Sequence, residues 1–161
     1  MPSADRDRAL REHLLELLRG KSAHVDFHRA TADLPEHLRA VRPPGADYSA
    51  WELLEHLRIA QWDILEFSRH AKHVSPAWPE GYWPASPEPP TPAQWERSLK
   101  TFRDDLKAIE DLVADPATDL YARIPWGDGQ TILREALLVA DHNAYHVGQI
   151  VMVRKMLGAW K

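Results

Sequence analysis

The stretch QTILREALLVADHNAYHVGQIVMVRKML, residues 130–157, decides the class of fold. Leu138, Val139, His142, His146, Gln149 and Val153 recur at the steps that bring side chains to one face of an α-helix. Gly158 is placed to stop that helix. Three more stretches carry the same period. In 92–114 the stripe is Trp95, Leu99, Phe102, Leu106 and Ile109, with Thr91 as cap and Pro92 at the first helical position. In 49–71 Leu53, Ala60, Ile64 and Phe67 share a face, and Ser49 with Glu52 forms a capping-box pattern. In 3–33 Leu10, Leu14, Leu17 and Leu18 fall on one arc that Val25 continues. Gly20 costs that helix about 1 kcal/mol against alanine. No stretch alternates with period two, so no sheet is expected.

Four amphipathic rods of ~20–30 residues bury their stripes best as a bundle, each about 30–45 Å long. The expected architecture is all-α, a four-helix bundle in one domain, 1–161. The connection 73–91 holds Pro76, Pro79, Pro84, Pro87, Pro89 and Pro90. Stiff chain of that length can form a long crossover between the second and third helices, and long ordered loops are often functional. Its aromatics Trp78, Tyr82 and Trp83 are expected to pin it to the helices.

Composition narrows the function classes. The 161 residues are 44% hydrophobic and 27% charged, which is globular rather than disordered. Twenty Lys and Arg against 24 Asp and Glu give a charge of −4, which argues against nucleic acid as partner. There is no transmembrane run, and the charged start MPSADRDRALREH is unlike a signal peptide, so no membrane partner and a cytoplasmic location are expected. Cysteine is absent, so a metal site must use His, Asp or Glu.

The chain has nine His, a high count for its length. His142 and His146 are four apart, so on a helix they share a face, with Cβ atoms about 6 Å apart, and can share one metal ion. Asn143, not Glu, follows the first, which separates the motif from the zinc-protease form. Both stand in the apolar stripe between Val139 and Val153, and a buried His is either bonded within the core or binds something. A third ligand should come from another helix. His56 shares the core side of its helix with Leu53, Ala60 and Phe67, while His24 and His28 form a rival pair on the arc of Leu10 and Leu17. His13, His37, His70 and His73 read as surface or helix-end residues. Glu135 and Gln149 lie one heptad either side of His142 and could support an imidazole, or simply end the buried stripe. Glu52, a turn before His56, is explained by its capping role. Asp128, in the turn Pro125–Gly129, is a candidate cap for the last helix.

The segment Tyr48-Ser-Ala-Trp-Glu-Leu-Leu-Glu-His56-Leu, together with Asp141-His142-Asn-Ala-Tyr-His146-Val-Gly-Gln149-Ile and Arg154-Lys-Met-Leu-Gly-Ala-Trp160, resembles the DinB/YfiT-like superfamily of metalloenzymes over about 8–160. That resemblance implies a four-helix bundle with a long crossover, and a divalent metal on one His of the second helix and the His pair of the last, here His56, His142 and His146. Characterised relatives include metal-dependent transferases that use low-molecular-weight thiols and a maleylpyruvate isomerase. The family's name does not imply DNA binding.

Three imidazoles on one ion leave an open position, as in catalytic zinc sites. Such an ion, zinc or nickel by ligand type, can bring a bound thiol or water towards a pKa of ~7. With no cysteine in the chain, the sulfur of a thiol transfer has to come from a small cofactor. Two readings follow: a thiol-dependent S-transferase or related hydrolase or isomerase acting on a small-molecule substrate, or a non-catalytic bundle whose ion is structural. Seven Trp, and the pairing common among relatives of this fold, add the expectation of a homodimer.

Overall fold

A computed structural model describes residues 3–160; Met1, Pro2 and Lys161, which the expected domain 1–161 takes in, lie outside the described residues. The described chain forms α1 (Ser3–Arg19), α2 (Phe27–Thr31), α3 (Ala50–Arg69), α4 (Pro92–Ala114) and α5 (Ile132–Met156). Short 3-10 turns occupy Glu36–Leu38 and Glu80–Tyr82. Among the described residues there is no strand, only an isolated bridge between Arg123 and Thr131.

Local chemistry explains most of the helix ends. Ser49 accepts from the Glu52 amide and Glu52 reaches back to the Ser49 amide, completing the expected capping box at α3. Thr91 and Gln94 make the same exchange at α4, with Pro92 where its missing N–H costs nothing. At α5 the cap is Thr131, which accepts from the Arg134 amide, and not Asp128. Asp128 stands too far ahead of the first helical amides, whereas Thr131 directly precedes them. Gly158, at φ +68, follows the last turn of α5 as expected.

The stretch 3–33 is not one helix. Gly20 adopts φ +63 and its amide donates to the Leu17 carbonyl at 3.0 Å, which closes α1. The chain restarts at α2 with Asp26 as N-cap. Glycine is the residue for which this left-handed conformation is nearly free, so it ends the helix rather than merely weakening it. Val25 therefore meets the core from a loop, and Leu17, beside the terminus, is 49% exposed.

Packing is arranged around α3 and α5. α3 lies against both α4 and α5, α1 against the same two, and α2 against α5. One buried cluster gathers Trp51, Leu53, Leu57, Trp95, Phe102 and Ile150; a second gathers Leu14, Leu65, Ile109, Val113 and Val139, and Leu106 touches both. Phe27 stacks on Phe102 at 3.8 Å between ring centroids, which fastens α2 to α4. Arg11 of α1 is buried and donates to the Val113, Asp115 and Thr118 carbonyls at 2.7–2.9 Å. A guanidinium there answers the free carbonyls at the C-terminal end of α4.

The loop after α3 is held unevenly. Trp83 stacks on Tyr48 at 4.0 Å, and Trp126 of the later loop donates from Nε1 to the Phe67 carbonyl at 2.7 Å. Trp78 is 75% exposed, and its ring meets the edge of Tyr82 within the same loop at 5.4 Å between centroids.

Candidate metal centre

His56 is buried on α3, and His142 and His146 are half-buried on α5. One nitrogen from each ring lies within 4.8 Å of the others. The Nε2 atoms of His56 and His142 are 3.1 Å apart. Two nitrogens bound to one zinc at 2.0–2.1 Å with a tetrahedral angle stand about 3.3 Å apart, so this pair is spaced for such an ion, with His146 within reach. The packing of α3 against α5 brings the rings together: the His pair shares a face by helical period, and His56 arrives from the neighbouring helix.

Two rings have their outward nitrogen assigned by hydrogen bonding. His56 Nδ1 is 2.8 Å from the Tyr82 carbonyl, which can only accept, so Nδ1 carries the proton and Nε2 the lone pair. His146 Nδ1 donates to Gln149 Oε1 at 2.6 Å, which likewise frees Nε2. Trp83 lies flat over His56, 4.1 Å between centroids and 7° between planes, so one face of that ring is covered.

The rings are held neutral. Burial pulls His142 down to about 3, helped by repulsion from His146 and His56 and opposed by a weaker hydrogen-bonding influence of the Asn143 side chain. Burial also lowers His56, against the Tyr82 bond, and lowers His146, against the Gln149 bond. Neutral imidazole is the form that donates to a metal.

Other candidates go elsewhere. His24 and His28 are exposed and fall in different segments, because α1 ends before them. Glu135 is buried, its carboxyl raised by burial, and it pairs with Arg134 at 2.8 Å rather than with an imidazole. Glu52 pairs with Arg42 and Ser49. Gln149 does support a ring, so it is more than a polar end to the stripe.

Three contributors escaped the reading of the sequence. The buried line of α5 runs through Val139, Asn143, Val147 and Ile150, and His142 and His146 flank it rather than occupy its centre. Asn143 is 8% exposed, and its position four residues from both Val139 and Val147 was the available signal. His73 is not a surface residue: its ring bonds the buried Asp63 at 2.7 Å. Asp63 also accepts from the Tyr82 hydroxyl at 2.6 Å, so the residue whose carbonyl holds His56 is itself tied to α3. Burial, then Asp63, pushes the Tyr82 phenol up to about 12, so it stays a donor. No sequence periodicity announces a contact between residues of a helix and a proline-rich loop.

The profile of the DinB superfamily matches residues 21–150. The chain belongs to the DinB superfamily. That span takes in all three histidines of this DinB-superfamily chain and the loop that covers His56. No curated protein and no solved structure matches it. No helix among the described residues is long and apolar enough to cross a membrane.

Proposed function

We propose that this protein is a metal-dependent enzyme in which His56, His142 and His146 hold one divalent ion, zinc or nickel, and act on a small molecule. The observation that carries the reading is the convergence of three imidazoles that no fourth His or carboxylate among the described residues joins. A set of three leaves a coordination position for substrate, thiol or water, as catalytic sites do and closed structural sites do not. When bound, such an ion supplies acidification of a coordinated thiol or water towards a pKa of ~7. The chain's own part is to present neutral nitrogens. The Tyr82 carbonyl and Gln149 fix two tautomers, and Trp83 keeps water from one face of His56. Because the chain has no cysteine, sulfur transfer requires a low-molecular-weight thiol from outside. A thiol-dependent S-transferase is thus the first reading, and a hydrolase or isomerase at the same centre its near variants.

In the same reading residues 1–161 are one domain, α1, α3, α4 and α5 form a four-helix bundle, and the chain between α3 and α4 is its crossover. Packing of α3 and α1 against the other two long helices supports the arrangement. A cavity of about 200 Å³ lined by Tyr48, Leu53, Gln149 and Met152 reaches the support of His146 and is the candidate approach for substrate.

Metal analysis of untagged protein, followed by a screen of thiols against electrophiles, esters and amides, tests the proposal. One divalent ion per chain and thiol-dependent turnover are expected. A bound ion with no turnover and no thiol or solvent access would assign the ion a structural role instead. Full metal content in the triple His→Ala variant would place the site elsewhere.

A further inference from the structure

The polarity of one buried chain of amides bears on His142. Phe102 presents a carbonyl that can only accept, and Gln61 Nε2 donates to it at 2.7 Å. With its NH2 committed there, Gln61 turns its Oε1 to Asn143, whose Nδ2 donates to it at 2.8 Å. Asn143 therefore has its NH2 on the Gln61 side and its oxygen on the other. Flipping Gln61 would set its oxygen against the Phe102 carbonyl, and flipping Asn143 would set its oxygen against Gln61 Oε1, so the direction of the chain is settled from its far end. Gln61 is 1% exposed, so water does not supply an alternative for it.

Asn143 Oδ1 is sealed from solvent and has no aligned hydrogen-bond partner among the described residues. A buried carbonyl-type oxygen left unpaired carries the full cost of its desolvation, which a donor beside it would remove. His142 is the adjoining residue. Of the three converging rings, His56 and His146 have Nδ1 engaged by Tyr82 and Gln149, whereas the hydrogen-bonding influence on His142 comes from the Asn143 side chain. The orphaned oxygen thus adjoins the one ring whose proton position neither Tyr82 nor Gln149 fixes.

We propose that Asn143, oriented by Gln61 and the Phe102 carbonyl, is the positioning residue of His142: its Oδ1 accepts the Nδ1 proton and so leaves the Nε2 lone pair facing His56 and His146. The inference rests on the metal-centre reading above and deepens it. A competing form exists in the metal-free protein. With the proton on Nε2, His142 would donate to His56 Nε2 across their 3.1 Å separation, and that bond would have to break before both nitrogens could serve one ion. Asn143 sets the balance towards the form that is ready to bind.

The test is 15N-detected NMR of histidine tautomers in metal-free protein, paired with zinc titration of the same samples. Wild-type His142 is expected as the Nδ1–H tautomer. Asn143→Ala is expected to move it towards Nε2–H and to weaken zinc binding at least ~10-fold, as loss of a ligand's hydrogen-bond partner does. Asn143→Asp keeps an acceptor oxygen for His142 but loses the donor to Gln61. It should retain the Nδ1–H tautomer and bind zinc more tightly than Asn143→Ala. If Asn143 served only to bridge the helices, the Asp and Ala variants would behave alike, and that result overturns the proposal. So does an Nε2–H tautomer in the metal-free wild type, which needs no variant to fold. A wild type that binds no metal would refute the function proposed above, while the tautomer measurement would still judge this one.

Discussion

His142 shows how little a ligand's identity says about its readiness. Its ring is neutral because burial and two neighbouring imidazoles disfavour the charge, down to a pKa of about 3. In an unfolded chain the same group titrates near ~6.5. Between these values the unfolded state holds a proton that the folded state refuses, so metal-free protein loses stability as pH falls below ~6.5, by up to about 1.4 kcal/mol per pH unit for that proton. Urea unfolding at pH 7 and pH 5 in the presence of chelator should show the loss, and H142A should flatten it; equal slopes would refute the link. The companion prediction concerns Gln149. Gln149→Leu removes the acceptor for His146 Nδ1, and zinc affinity should drop at least ~10-fold by calorimetry. An unchanged affinity would return Gln149 to the role of a polar residue at the end of a stripe.

Among the elements, the break between α1 and α2 is the clearest case of one residue deciding a boundary. Gly20 sits at φ +63, and a Cβ built there would meet nothing closer than the Asp26 Cα at 3.9 Å. Space is ample, so Gly20→Ala should cost only the backbone penalty, ~1–2 kcal/mol in denaturant midpoints. A neutral result would mean that α1 can end another way. At α3, Ser49→Ala removes an acceptor from the Glu52 amide, and about 1 kcal/mol should be lost in chemical denaturation. The cap also matters to the site, because His56 lies two turns into the helix that Ser49 begins. The loop after α3 works in the opposite sense: helix and loop are joined by Asp63, Tyr82 and Trp83 rather than by periodicity.

The molecule as a whole should feel the ion through linkage. Zinc at a hundred times its dissociation constant adds about 2.7 kcal/mol, which raises Tm by roughly 5–11 °C in a chain of this size. Scanning calorimetry with and without chelator reads this directly, and an unchanged Tm would count against binding to the folded state. Exposed Tyr145, Met152 and Met156 follow one another along α5 and offer apolar surface for a second copy. The homodimer expected from the sequence predicts sedimentation at twice 18.4 kDa at micromolar concentration, and a single species at 18.4 kDa would reject it.

Much of this was legible along the chain, because helix caps, breakers and three- and four-residue periods act between near neighbours. Ser49 with Glu52, Thr91 with Pro92, and the pairing of His142 with His146 are all of that kind. His56 was legible as a core-facing residue, yet its nearness to the other two depended on how α3 meets α5. The supports of the cluster were not legible. In the sequence Asn143 marks only a departure from the zinc-protease form, His73 reads as a surface or helix-end residue, and Tyr82 as a loop anchor. Each bonds a residue far away in the chain, through atoms whose pairing depends on distance and direction in space. Periodicity tells a side chain which face it is on; only the packing of α3, α4 and α5 decides which nitrogen, oxygen or ring it meets there.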